Sequence, residues 1–347
     1  MEIELPAYLE RFIFDTLNGI YKIRWNKTNN LENNEEENKI YIGTYFPRSY
    51  AESKIIFNDL FKNNHIKNSF IEKDTISILD IGTGTGGNLI GLMESLKENF
   101  GKKALKIFTF EGNINALEFF DKFVKKFKIT FNYNNIITNN VSLKISSNSL
   151  YVDTFYKIFD FNTKFDVVMS SKFISEFYNE TQIGADGVYK DFARISSDNL
   201  NKDGIAIVLD TTNKLGNNKY TSYVMTKELK EYIKENEENI KFILPKSCAL
   251  WYNKCNTGDC FIQRVIQVKH RKDKIDNRKI NNISNICYAL LSKPSFANEV
   301  IESYRNDISY AICVKKGMDL YIDGICRNGI QTKGFTKLNN NHALKLN

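Results

Sequence analysis

The 347-residue sequence predicts an α/β fold built on a doubly wound, mainly parallel sheet. Two observations carry that reading. From residue 77 onward, short apolar runs alternate with segments of helical periodicity, the rhythm of strands joined by crossover helices. The first of those runs also leads through Asp80-Ile81-Gly82-Thr83-Gly84-Thr85-Gly86 directly into the first of those helices. A tight strand-to-helix turn needs glycine where the chain reverses, and again where a ligand meets backbone.

Residues 2–26 place Ile3, Leu5, Leu9, Phe12, Ile13, Leu17, Ile20 and Tyr21 at helical spacing. Residues 27–38 are polar and acidic and read as a loop, and 48–61 form a second amphipathic helix through Ile55, Ile56, Leu60 and Phe61. Together these make a helical N-terminal region, 1–70. In the α/β domain, 71–240, strands are expected at 77–81, 105–110, 129–133, 165–170 and 204–210. Helices are expected over 88–99 and 116–127, with another beginning at 173–178. Beyond residue 241 the chain turns basic, cysteine-containing and strand-rich, without βα alternation.

Hydrophobic residues make up 42% and charged residues 26%, an ordinary balance for a globular chain. No apolar run reaches the length of a membrane span, so no membrane partner is expected. The opening Met1-Glu2-Ile3-Glu4-Leu5-Pro6 is acidic where a signal segment would be basic, and a cytoplasmic protein is the expectation. The net charge of +7 is uneven: residues 241–347 hold 18 Lys+Arg against 8 Asp+Glu, and residues 1–240 hold 30 against 33. A basic C-terminal third invites an acidic partner, RNA first, with a solvated lysine surface as the alternative.

Asp80 ends the first strand at the carboxyl edge, where open α/β sheets bind ligands. Glu111 ends the second, 31 residues later, where a carboxylate accepts both ribose hydroxyls of an adenosyl group. Dinucleotide enzymes share this geometry. An acidic residue just before the first glycine favours S-adenosylmethionine instead, whose sulfonium and amine are cationic. The expected cofactor residues are Asp80, Gly82, Thr83, Gly84, Gly86, Glu111 and Ser170. The strand at 165–170 is followed by Ser171-Lys172-Phe173-Ile174-Ser175-Glu176-Phe177, where a methyltransferase carries its catalytic loop. That loop has no Asn/Asp-Pro-Pro-aromatic motif and no cysteine nucleophile; Ser170, Glu176 and Tyr178 are the candidate catalytic side chains.

Six cysteines in a reducing compartment read as thiols or metal ligands rather than disulfides. Cys248, Cys255 and Cys260 form Cys-x6-Cys-x4-Cys in a turn-rich stretch, and Cys326, beside further turn residues, can supply a fourth thiolate. Zinc and an iron–sulfur cluster both accept that donor set, and packing cysteines that hold no metal are the third alternative. Cys287 and Cys313 lie inside apolar strands and read as core. His270, in Lys269-His270-Arg271-Lys272, is an alternative ligand but reads as part of a solvated basic loop.

Several segments, in order, carry a family resemblance. They are Glu4-Leu5-Pro6-Ala7, Pro47-Arg48-Ser49-Tyr50-Ala51, Leu79-Asp80-Ile81-Gly82-Thr83-Gly84, Asp166-Val167-Val168-Met169-Ser170-Ser171 with Ile174-Ser175-Glu176-Phe177, and Cys260-Phe261-Ile262-Gln263-Arg264-Val265. The chain resembles the ribosomal small-subunit methyltransferase-like family of bacteria and mitochondria, whose members assist assembly of the small ribosomal subunit. The resemblance implies a seven-stranded methyltransferase-type sheet and a four-cysteine [4Fe–4S] site at Cys248, Cys255, Cys260 and Cys326. It departs in two places. Leu209-Asp210-Thr211-Thr212 stands where the family has Glu-Pro-Gly, and Ala249-Leu250 replaces Pro-His after the first cysteine.

The combined expectation is an S-adenosylmethionine-binding, iron–sulfur methyltransferase-like protein that engages the small subunit or its RNA through the basic C-terminal region, with no DNA partner. Two rivals stand beside it: a small-molecule methyltransferase with structural zinc, and a non-catalytic assembly factor.

Overall fold

The computed structural model describes residues 2–23, 33–142, 164–179, 187–212, 215, 221–243 and 261–305, and the strand segments 313–316, 319–322, 326–327 and 336–338. In chain order the strands are β1 (Glu2–Glu4), β2 (Thr75–Ile81), β3 (Ala104–Glu111), β4 (Ile136–Ser142), β5 (Phe165–Ser171), β6 (Leu200–Thr211), β7 (Lys241–Phe242), β8 (Phe261–Arg271), β9 (Lys279–Ser292), β10 (Cys313–Lys316), β11 (Asp319–Ile322), β12 (Cys326–Arg327) and β13 (Thr336–Leu338). The α-helices are α1 (Ala7–Arg11), α2 (Glu35–Leu60), α3 (Asn64–Ile71), α4 (Gly87–Phe100), α5 (Ile114–Phe131), α6 (Glu176–Asn179), α7 (Val188–Asn199), α8 (Thr221–Glu235) and α9 (Pro294–Arg305).

The main sheet runs β1-β8-β9-β6-β5-β2-β3-β4. From β4 to β6 every pairing is parallel, while β9 enters antiparallel to both β6 and β8. Five parallel strands flanked by an inserted antiparallel strand and one more give the doubly wound, methyltransferase-type sheet that the sequence predicts. Alternate residues of each central strand serve opposite faces. Ile78, Ile107, Val167, Met169 and Ile207 pack with α2, α4, α5 and α9, whereas Leu79, Ile81, Val168 and Val208 pack with α7 and α8. Burial on both faces explains why these strands are continuous apolar runs without polar alternation.

The chain order reverses at β2, with β3 and β4 on one side and β5 and β6 on the other. That switch point opens the crevice at the carboxyl ends of β2 and β5. The sheet continues across residue 241, because β8 and β9 extend the edge at β6.

Three local expectations are corrected. The third parallel strand is β4, not 129–133. Residues 129–131 prolong α5, which buries Phe120, Phe123, Val124 and Phe127 along one stripe and ends at left-handed Asn132. Tyr133 is buried beyond that cap and donates its hydroxyl to the Lys103 carbonyl. Residues 2–4 are not helical but pair in parallel with β8, Glu2 opposite Gln267. Finally, the end of the acidic 27–38 stretch starts α2. Asn34 and Glu37 form a reciprocal capping box, and Glu35, Glu36 and Glu37 complement the positive end of the helix.

Candidate functional site at the carboxyl edge of the sheet

The glycine turn hangs from the neighbouring strand. The Gly82 and Thr83 amides both donate to the Phe110 carbonyl, at 2.8 and 3.1 Å. Gly82, Gly84 and Gly86 all have positive φ, 76°, 55° and 82°, a region that other residues enter at a cost of roughly 1–2 kcal/mol. Two of the three are also held by close neighbours. A Cβ at Gly82 collides with Phe173, and one at Gly86 collides with the Phe120 ring. α2 closes in from behind, with the Phe46 carbonyl and Ser49 against Gly87. The 14-residue helix α4 therefore begins with its N-terminal amides facing the crevice.

Asp80 is 1% exposed, and its Oδ1 has no hydrogen-bond partner. Burial pushes its carboxyl up to about 7, Glu111 adds to the rise, and the Thr83 hydroxyl opposes it. Glu111 is differently placed. Its Oε2 accepts the Gly84 amide at 2.6 Å and its Oε1 the Asn113 amide at 2.9 Å. Burial still raises it, with those amides pulling down. Beyond the Gly84, Asn113 and Gly112 amides the carboxylate keeps accepting capacity for the ribose. The Asn88 side-chain nitrogen, on the first turn of α4, is a buried donor without a partner. An unmatched acceptor and an unmatched donor on one turn suit a ligand end that is both cationic and anionic.

These residues fit S-adenosylmethionine. Asp80 would face its amine, and Asn88 with the α4 amides its carboxylate. Glu111 would take the ribose hydroxyls. Bound there, the group supplies an electrophilic sulfonium methyl.

The loop after β5 lies beside the turn, with Ser170 opposite Ile81 in register. Of the three candidate catalytic side chains, two are engaged elsewhere. Ser170 is buried and donates to the Ile81 carbonyl at 2.9 Å. Tyr178 donates to Glu228 at 2.5 Å and accepts the Val188 amide at 3.0 Å, tying α6 to α7 and α8. Glu176, half-buried at the head of α6, adds with Glu111 to the upward shift that burial imposes on the Tyr41 hydroxyl. Tyr41 and Tyr45 on α2 stand 5.1 Å apart by ring centroid, and Arg48 lies 4.5 Å above Tyr45.

Sequence reading missed Asn88, Tyr41 and the buried carboxylate Asp210. Asp210 accepts Ser175 Oγ at 2.6 Å and the Tyr189 hydroxyl at 2.8 Å, and burial lifts it to about 6. The substitution of the family's Glu-Pro-Gly by Leu209-Asp210-Thr211 was the available signal. It marks a side chain that ties the loop after β5 to β6.

Cys248, Cys255 and Cys260 lie outside the described residues. Cys326 is in β12, whose backbone pairs antiparallel with the start of β8, Cys326 opposite Ile262. Among the described residues no group of three or more metal-ligating side chains occurs. Cys287 is fully buried, as expected of a core residue. His270 corrects the solvated-loop reading. It is fully buried on β8, stacked on Phe14 with centroids 5.4 Å apart. Its Nδ1 meets the Arg271 carbonyl and its Nε2 the Asn282 amide nitrogen, so Nδ1 carries the proton and Nε2 accepts. Burial lowers it to about 4.

The basic C-terminal third is partly neutralised from within. Lys269 pairs with Glu2, Lys279 with Glu4 and Glu10, and Arg271 with Asp15. No helix among the described residues is long and apolar enough to cross a membrane.

No protein-family model matches the chain, and no curated protein matches it. Similar solved structures include TehB from Haemophilus influenzae, 14% identical over 65% of this chain and 60% of that one, with a TM-score of 0.33. A SAM-dependent methyltransferase from Aquifex aeolicus is 12% identical over 67% of this chain and 90% of that one, TM-score 0.28. Another from Agrobacterium tumefaciens is 9% identical over 68% and 62%, TM-score 0.33. The chain spans less than two thirds of TehB and of the Agrobacterium protein.

Proposed function

We propose that this chain binds S-adenosylmethionine in the crevice at the carboxyl ends of β2, β3 and β5, as a methyltransferase-like protein. One observation carries the reading: a fully buried carboxylate, Asp80, with an unmatched oxygen beneath a glycine turn at the point where strand order reverses. A buried charge without a partner is strongly unfavourable, and a cationic ligand relieves it. A dinucleotide has no ammonium to offer there. For methyl transfer, this chain contributes placement: Phe173 and the loop after β5 form one wall, and Tyr41 and Glu176 border the acceptor side. Proximity and orientation would supply most of the acceleration. Equilibrium titration of the full chain with S-adenosylmethionine and with NAD is the direct test. Saturable binding of NAD alone would overturn the reading.

The finer reading is a small-subunit assembly role with a [4Fe–4S] cluster on Cys248, Cys255, Cys260 and Cys326. Sequence resemblance supports it, and so does the pairing of Cys326 with Ile262, two residues beyond Cys260. Anaerobic purification with iron, sulfide and zinc quantification tests the cluster; stoichiometric zinc without iron sinks it and favours the small-molecule methyltransferase with a zinc knot. Binding to small-subunit RNA should weaken steeply with added salt, because phosphate contacts release counterions.

A further inference from the structure

Directly after β5 the chain turns through Lys172 with φ of 58°, a left-handed conformation otherwise taken among the described non-glycine residues only by two asparagines. Asparagine tolerates that region and lysine does not, so the surroundings must hold it. They do so from three sides. The Lys172 amide donates to the Leu209 carbonyl at 2.7 Å. Its ammonium reaches Ser49 Oγ at 3.0 Å and the Glu52 carboxylate at 2.7 and 2.9 Å. Glu52 is 0% exposed and also accepts Ser284 Oγ at 2.6 Å, so α2, the loop and β9 meet at one carboxylate. The next residue, Phe173, is the one that fills the space above Gly82. Three residues on, Ser175 is fastened to Asp210. Phe173 therefore sits between two polar anchors, and only the Lys172 anchor reaches α2, the helix that also backs Gly87.

We propose that Lys172 is a positioning residue for cofactor binding. Its ammonium, gripped by Glu52 and Ser49, fixes the left-handed turn that seats Phe173 on Gly82 and keeps the glycine turn in its ligand-ready shape. This rests on the S-adenosylmethionine reading above. The competing role is plain charge balance, in which Lys172 only neutralises buried Glu52.

Calorimetric titration of the full chain with S-adenosylmethionine separates the two, run on wild type, K172R, K172M, E52Q and K172M/E52Q with a thermal melt of each. K172M should weaken binding by about tenfold or more, a loss of roughly 1.4 kcal/mol. K172R keeps the charge and a donor for each oxygen, and should stay near wild type. In K172M/E52Q both members of the buried pair are neutral, so the melting temperature should recover relative to K172M while the affinity stays low. Amide exchange at Gly82–Gly86 should quicken in that double variant, with exchange in the core of α5 unchanged. Wild-type affinity in K172M/E52Q overturns the proposal in favour of charge balance, and this variant decides the matter even if K172M does not fold. No binding by wild type overturns the cofactor reading and this proposal with it.

Discussion

At the scale of single residues, two buried titratable groups both disfavour acid, one through binding and the other through folding. Asp80 must be ionised to hold a cation, yet burial lifts its free carboxyl to about 7. Below that value, affinity for S-adenosylmethionine should fall by about tenfold per pH unit, with proton release on binding. Titrations from pH 5.5 to 8.5 in buffers of differing ionisation enthalpy check this; Asp80→Asn should bind weakly with no such slope. His270 acts on folding instead. It is lowered from 6.5 to about 4, so the unfolded chain binds the extra proton between those values. Its contribution is complete above pH 6.5 and declines as pH falls toward 4, by about 3 kcal/mol in all. The stability gap between wild type and His270→Gln, measured by urea titration, should narrow over that window. Comparing the pair cancels the opposing effect of Asp210, whose raised carboxyl favours the fold at low pH. The glycines and Asp80 were legible because backbone sterics and charge force those residue types. Asn88 and Asp210 were not, since any surface turn can hold an Asn or Asp and only their burial gives them a role.

At the scale of elements, local periodicity located β2, β3, β5, β6, α4 and α5, whose apolar patterns follow from burial on a sheet with two covered faces. It misplaced the third parallel strand, because Phe131 carries the helical stripe of α5 on to its end, while Ile129 is exposed on the outer face and Tyr133 is buried beyond the cap. β4 itself carries Thr138, Asn139 and Asn140, too polar to announce a strand from sequence. The start of α2 was hidden by its acidity, although that acidity is what a helix N-terminus favours. Asn34→Ala should lower stability by about 1 kcal/mol through loss of the cap. Glu10 joins α1 to two strands, accepting the Arg271 amide and the Lys279 ammonium, both at 2.8 Å. Glu10→Ala should cost about 2 kcal/mol in a denaturant titration, as expected for a half-enclosed charged hydrogen bond. A matching loss in Lys279→Met, and a non-additive double variant, would locate the effect in the pair.

At the scale of the whole molecule, the divisions near residues 70 and 240 mark changes in sequence character that the sheet crosses. Charge counting by segment placed a free basic surface after residue 241, but charge acts through space. Glu2, Glu4, Glu10 and Asp15 meet part of that surface in the fold. Neutralising Lys269 and Lys279 together should therefore disturb thermal stability more than RNA affinity, measured by melting and by filter binding. That the sheet is mainly parallel could be read from the alternation of strands and helices. The sheet order could not, since the antiparallel insertion of β9 depends on partners from Ala206 to Thr211, about eighty residues earlier in the chain.

The pairing of Glu2 with Gln267 bears on how the chain is made as well as how it stands. Synthesis runs from the N-terminus, so β1 emerges some two hundred and sixty residues before the strand it joins. β6 likewise waits for Leu291 and its neighbours, presenting an open, apolar strand edge in the interval. A nascent chain halted before residue 261 carries both loose ends at once. Such arrested chains should pellet when released by puromycin, whereas chains extended past residue 305 should not. β1 is made long before β8 and finds its place only after it.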